Sequence, residues 1–372
     1  MSTLKVNKLN NSGVAIDFPY SLRIKGNIIE QAYTEDSVEP TSPDSGDLWW
    51  NTSDEELSQY IGNEWRTWDL TAPVYMTWGG DRGFAIGGYG DANTIDYYDI
   101  TTAGNASTFG EVSDIGLSIT TENMAVSSGE RVVYHYDNSN GSNYYYIAAA
   151  TLGNGAGFGD NANRRGYSAG ASDGTTGIQA GGNSGSNIID YITIGTLGDA
   201  TDFGDLTVGR GQFSGLGGST RGVFIGGGSV GSLSDGSNTM DYITIATPGN
   251  ATDFGDTITG GWNYMAACSD ATRGVIAGGT NGSGTNVNTI EYITVDTASD
   301  ATDFGDLDTA CKYLVAGANA TYACFSGGHI DSTNNALVNI QRLTIQTTGN
   351  ATDHGDLVTG RRQGAGSSGN AA

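Results

Sequence analysis

The chain has 372 residues, of which 59 are glycine and five proline, with 37% hydrophobic residues and nineteen tyrosines. That much glycine beside a buriable apolar fraction argues against a disordered chain and for many short strands joined by glycine turns. Sixteen basic residues against 41 acidic ones leave a formal charge of -25, which excludes a surface attracted to nucleic acid or to an anionic membrane.

In chain order, the start "MSTLKVNKLN" lacks the apolar stretch of a signal peptide. Nowhere do eighteen apolar residues run together, so no membrane insertion is expected and the protein is expected to be soluble and made in a cytoplasm. Residues 1–72 do not repeat. Four of the six tryptophans, Trp49, Trp50, Trp65 and Trp68, fall in "SGDLWWNTSDEELSQYIGNEWRTW", which reads as strand, turn, strand, turn, strand. The expectation is a small β-meander whose tryptophans form either a minicore or a docking face, because three short strands rarely stand alone.

From residue 73 on, one pattern recurs six times. Its most visible part is the heptapeptide "NATDFGD" at 250–256, with an Asp-Phe-Gly triplet that also stands at Asp202-Phe203-Gly204 and Asp303-Phe304-Gly305. A protein kinase carries that triplet once, with a glycine-rich loop, a strand lysine and a His-Arg-Asp loop that are missing here. Repetition makes it architectural. Each copy follows a strand-like segment such as "IDYITIGTL", and a tyrosine precedes the phenylalanine by twelve positions at Tyr97/Phe109, Tyr146/Phe158, Tyr191/Phe203, Tyr242/Phe254 and Tyr292/Phe304. In the sixth copy the pair is Arg342 and His354.

Successive members of the second set lie 49, 45, 51, 50 and 50 residues apart, the period of a four-stranded propeller blade. Upstream, "RGFAIGG", "TTGIQAGG", "RGVFIGG", "RGVIAGG" and "TYACFSGG" end an apolar strand on a double glycine, whereas "RVVYHYD" of the second copy does not. These features resemble kelch-type β-propellers, with Phe where that family usually has Trp. The resemblance covers about residues 73–372 and implies an all-β, six-bladed propeller preceded by a small β-rich module at 1–72. The tyrosine and phenylalanine are then expected on adjacent strands, filling the space between blades. Either "VYMTWGGDRG" or the tail "GRRQGAGSSGNAA" can supply the innermost strand of the first blade. The tail is favoured, since joining both ends of the chain in one blade removes an exposed edge.

The aspartates beside the phenylalanine are read as acceptors for nearby backbone amides. The other reading is a calcium ligand set of Asp202 with Asp205, Asp253 with Asp256 and Asp303 with Asp306, a spacing too loose to point to a site by itself. Cys268, Cys311 and Cys324 lack metal-ligand spacing and read as small core residues. No cofactor is expected.

The stretch "GDLWWNT" with its following hairpin is similar to a module of bacteriophage tail and fibre proteins. The opening "MSTLKVNKLNN" and the "YITI…ATDFGDL" repeats are similar to cyanophage-type virion proteins. The resemblance implies a non-enzymatic virion protein, a tail fibre or appendage assembled in the host cytoplasm. Its N-terminal module, with Trp49, Trp50, Trp65 and Trp68, would bind other virion proteins while the propeller meets a host-surface glycan. Such appendages are often homotrimers, although no coiled-coil heptads appear here to enforce it.

Loops after the double glycines vary in length, from nine positions between Gly88 and Tyr97 to fifteen between Gly227 and Tyr242, while the Tyr-to-Phe spacing is constant. A constant scaffold with variable loops suits recognition. Tyr89, Asn93, Asn183, Ser184, Asn281, Asn286, His329 and Asn334 are the candidate contacts for sugar hydroxyls. Two alternatives stand beside this reading: a head or neck decoration protein, and a polysaccharide-cleaving enzyme. The enzyme would need a carboxylate pair that breaks the repeat symmetry.

Overall fold

The computed structural model describes residues 80–372 except 90–92, 114–123, 139–140, 162, 164, 230–234, 332–334 and 370–372; of the first 79 residues it describes six short strands. The chain divides into two compact units, Met1–Tyr75 and Met76–Ala372.

In the first unit, Arg23–Ile24 pairs with Asn27–Ile28, and a separate sheet orders Tyr33–Asp36, Leu48–Asn51, Glu56–Ile61 and Glu64–Trp68. The last three are the expected meander. Its register sets Trp50 opposite Leu57, Leu57 opposite Trp68 and Tyr60 opposite Trp65. Tyr33–Asp36 adds a fourth strand, parallel to Leu48–Asn51, which alternation within 45–68 could not reveal.

The second unit is a six-bladed β-propeller of antiparallel blades. In blade 3 the strands, from the axis outward, are Ala169–Ser172, Thr176–Ala180, Ile188–Thr193 and Thr201–Asp205. Blade 4 repeats the order with Ser214–Gly217, Arg221–Ile225, Thr239–Thr244 and Thr252–Asp256, and blade 5 with Ala266–Ser269, Arg273–Ala277, Thr289–Thr294 and Thr302–Asp306. Blade 6 uses Lys312–Ala318, Tyr322–Ile330, Asn339–Thr344 and Thr352–Asp356, with Asn335–Ala336 as an extra short strand. Blade 2 is Ala125–Ser127, Arg131–Asn138, Gly141–Ala148 and Ala156–Asp160. Blade 1 takes its second to fourth strands from Arg82–Ile86, Thr94–Asp99 and Ser107–Glu111, and its innermost from Ala365–Gly369. The C-terminal tail therefore closes the ring.

Second strands such as Arg221–Ile225 are buried along nearly their whole length. Both of their faces meet a neighbouring blade. The core is accordingly partitioned into clusters, one at each blade-to-blade interface among the described residues. Tyr191 meets Phe203 and Tyr242 meets Phe254 edge to face, with ring centroids 6.0 Å apart, a geometry that adds to the burial of each ring.

The heptapeptide stitches each blade to its neighbour. The glycine that follows the Phe position (His354 in blade 6) in each outer strand has no room for a Cβ; at Gly255 it would lie under 3 Å from the neighbouring blade's backbone at Ser299. Beside that close approach, the Asn250 side chain accepts a bond from the Asp205 amide (3.1 Å) and Asp300 from the Asp256 amide (3.0 Å). Asn350, Asn154 and Asp199 do the same in their interfaces, and Asn105 closes the circle on Asp356. The capping oxygen thus belongs to the first residue of the motif and reaches the preceding blade. The aspartate before the phenylalanine does not supply it.

A second latch starts at the arginine opening the second strand. Arg82, Arg131, Arg221 and Arg273 lie 4.2–4.7 Å over the centroids of Tyr97, Tyr146, Tyr242 and Tyr292. Arg82, Arg131 and Arg273 also donate to carbonyls of the next blade, at Ala149, Ile194 and Ile345. Blade 6 exchanges the partners. Arg342, at the tyrosine position, stacks on Tyr322, at the arginine position (4.3 Å), and donates to Thr101 of blade 1. His354, at the phenylalanine position, donates from Nε2 to the Asp99 carbonyl (2.6 Å).

Candidate functional site

The double glycines build one face of the propeller. Gly226 and Gly227 have φ of 65° and 90°, and the equivalent pairs in blades 1, 3, 5 and 6 share that left-handed conformation, which costs glycine little and other residues about 1–2 kcal/mol. In blades 1, 3, 4 and 5 the second strand ends at the residue before these glycines, and in blade 6 it continues through them to Ile330. Blade 2, without them, runs straight on as a hairpin to the pair Asn138–Gly141.

In blades 1 and 3 to 6 the approach to the innermost strand meets these glycines. Each approach contains a non-glycine residue held left-handed: Tyr167, Gln212, Tyr264, Tyr313 and Gln363, with φ of 58–64°. Among the described residues their backbones form a chain of contacts, a collar spanning five of the six blades. The amide of Gln212 donates to the Tyr167 carbonyl, Tyr264 to Gln212, Tyr313 to Tyr264 and Gln363 to Tyr313, at 3.0–3.2 Å. These bonds offset the strain and fix the loops relative to one another.

Just outside the collar, the residue before each left-handed one lies beside the residue after the double glycine. Arg362 meets Tyr89, Gly166 meets Asn183, Gly211 meets Gly228, Asn263 meets Thr280, and Lys312 meets His329. The backbone contact recurs while the side chains do not. The pairs Asn263/Thr280 and Lys312/His329 are buried, the latter with Lys312 Nζ 2.8 Å from Asp331. Tyr89 is 56% exposed and carries the Arg362 guanidinium 4.6 Å from its ring centroid.

Buried acids hold the loops from below. Arg165–Asp190 (2.5 Å), Arg210–Asp241 (2.9 Å) and Arg361–Asp96 (2.6 Å) are buried ion pairs at one repeat position. Burial pushes the Asp190 carboxyl above its ordinary value and Arg165 below its own, each opposed by the partner's charge. Trp262 and Cys311 stand at the arginine position in blades 5 and 6. There Glu291 and Gln341 hold the loops instead. Glu291 accepts from the Ile258 and Thr259 amides and the Thr259 hydroxyl, and Gln341 from the Asp308 amide. Burial raises the Glu291 carboxyl above its ordinary value, opposed by these bonds.

Under blades 2 and 3 the symmetry breaks. Gln179, where other blades place apolar residues, accepts from Tyr144 and Asn161 and donates to Ser168. His135 nearby is fully buried and pushed down to about 3, by burial first and by Arg165 second. It is neutral at any physiological pH. The axial channel itself encloses about 80 Å³, lined by Met124, Phe213, Met265 and Leu314 with small residues of the innermost strands. That is far below the few hundred Å³ of a usual small-molecule site.

Of the candidate contacts, Tyr89, Asn183 and His329 stand in the ring of pairs. Asn286 joins them by donating to the His329 carbonyl (3.2 Å). Asn281 is turned inward, accepting from the Ser283 and Thr285 amides of its own loop. The Asn93 carbonyl accepts from Val112, a bond repeated by Asn187, Asn238 and Asn288, so this position belongs to the scaffold. Ser184 lies in the single turn of 3-10 helix Asn183–Gly185, and Asn334 lies outside the described residues. Arg362, Asn263, Thr280 and Lys312 were not singled out from sequence. Their partners come from the other loop, some 17 residues away or, for Arg362, from the opposite end of the chain.

The candidate calcium ligands Asp202, Asp205, Asp253, Asp256, Asp303 and Asp306 lie along outer strands. Among the described residues no group of three or more His, Cys, Asp or Glu gathers as a metal site. The cysteines are free. Cys311 and Cys324 are buried, with thiols pushed up to about 12 by burial. No helix among the described residues is long and apolar enough to cross a membrane.

The fold and its ring of loop pairs define the chain as a six-bladed β-propeller protein. No family model matches the sequence, and no curated protein matches it. Among solved structures, that of YjhT is similar, with a TM-score of 0.55 and 11% identity over 66% of this chain and 87% of that chain. At that identity the likeness shows the fold alone.

Proposed function

We propose that this is a non-enzymatic recognition protein that presents the loop face of its propeller to a host-surface glycan, carried as a bacteriophage tail fibre or appendage and attached through residues 1–72. One observation carries the recognition reading: five cross-loop pairs share a backbone contact while their residues differ, from Gly211/Gly228 without side chains and the buried Asn263/Thr280 and Lys312/His329 to the exposed Tyr89 beside Arg362. A structural spacer has no use for such variation, and a rigid frame with divergent contacts is what binding requires. The narrow channel and the commitment of Asp96, Asp190, Asp241 and Glu291 to loop bonds support the non-enzymatic reading. The virion assignment draws on the tryptophan-rich and opening segments.

Immunogold labelling of intact particles with antibody against residues 73–372 tests the placement. Label on distal tail appendages is the expected result. Label over the head or neck would move the protein to a decoration role, and unlabelled particles would overturn the virion assignment. Binding of the full chain to a glycan array tests recognition separately.

A further inference from the structure

The ring of loop pairs contains one cation of a different kind from the rest. Arg165, Arg210, Arg361 and Lys312 are each paired with a carboxylate, Arg82, Arg131, Arg273 and Arg342 are spent on neighbouring carbonyls, and Arg221 stacks on Tyr242 at the end of its strand away from the double glycine. Among the described residues of the loop face, Arg362 alone has a guanidinium with neither ion pair nor hydrogen bond. Its described side-chain contact is the face of Tyr89, which is itself 56% exposed. Both residues are held by a reciprocal backbone bridge, Tyr89 amide to Arg362 carbonyl at 2.7 Å and the reverse at 3.1 Å. The pair is therefore pre-organised without using its polar groups.

We propose that Tyr89 and Arg362 form the primary glycan subsite and that it takes a carboxylated sugar, a uronic acid residue. The inference rests on the recognition reading above. The tyrosine ring offers a flat apolar surface for the C–H face of a pyranose, and the guanidinium fork matches a carboxylate in a two-point bond. The surrounding charge sharpens the choice. A protein of net charge -25 disfavours a dianionic group more than a monoanionic one, so a carboxylate, one charge on a sugar residue, is the anionic chemistry that a planar cation on this face accepts.

The test is calorimetric titration of the full-length protein with tetragalacturonate and with galactotetraose, its uncharged counterpart. Tetragalacturonate is expected to bind about tenfold or more tightly than galactotetraose, with Arg362→Gln and Tyr89→Leu each losing about tenfold and Arg362→Lys falling between. Melting temperatures of the variants should match the parent, because the bridge is made by backbone atoms. Equal binding of the two oligosaccharides, or an Arg362→Gln variant that binds as the parent does, would overturn the subsite. If tetragalacturonate fails while uncharged glycans bind on the array, the subsite falls and recognition stands. If no glycan binds at all, both fall.

Discussion

The rim of the propeller and its loop face are built from the same repeat and behave oppositely. At the rim, every copy of the heptapeptide does the same thing: a glycine gives way to the next blade, and an Asn or Asp caps an amide of the previous one. On the loop face the backbone pairs recur, yet the side chains run from Gly/Gly to Lys/His. Where contact is blade to blade, each copy must fit its neighbour and drift is penalised. On the loop face, where the recurring contact is made by backbone alone, the side chains are free to diverge.

The sharpest way to break the shared frame is Arg361→Met. It strips the cation from a fully buried pair and removes the donor to the carbonyls of Ala85, Gly87 and Thr94. A loss of about 3–5 kcal/mol is expected, read as a lowered midpoint in chemical denaturation. An unchanged midpoint would mean that the clamp does not hold the closure.

Gly255→Ala attacks the rim, placing a methyl group against the Ser299 backbone at φ 139°. About 1–3 kcal/mol should be lost, whereas alanine at Gly249, which has open space around it, should cost less than about 1 kcal/mol. Equal effects at the two positions would refute the close-approach argument. Glu291→Gln runs the other way. Burial raises the Glu291 carboxyl in the fold, so the native state favours its protonated form; that stability is present at low pH and lost as pH rises through the folded value. Glutamine keeps an acceptor for the loop amides, as Gln341 does in blade 6. The variant should melt about 2 °C higher at pH 8, and the difference should vanish near pH 4.

The smallest effect is expected at Asn250→Ala, which removes one exposed bond to the Asp205 amide. It should cost about 0.5–1 kcal/mol, and by hydrogen exchange the Asp205 amide should be the one that loses protection.

How legible was this in the sequence? The Tyr-to-Phe spacing located third and outer strands because both lie within one hairpin, where register is local. The double glycines were legible for the same reason. The Asn250 cap was not, because its partner lies 45 positions away in the preceding copy. The motif looked self-contained while acting across copies. Arg165, Arg210 and Arg361 do recur in step with Asp190, Asp241 and Asp96, a co-occurrence strong enough to have been found. For the candidate face, sequence variability singled out one member of three of the five pairs: Tyr89, Asn183 and His329. The double glycine marks one loop, but nothing local marks the loop that meets it.

The strand that completes blade 1, Ala365–Gly369, follows every other described propeller strand, and it pairs with the first of them, Arg82–Ile86. During synthesis the ring thus stays open, with the inner edge of Arg82–Ile86 waiting, until all five other blades have been made. Folding ends with its longest-range contact, the slowest kind to find. A chain cut short by a dozen residues would lose both this strand and the means to close, leaving five complete blades and a raw edge open to pairing with another molecule.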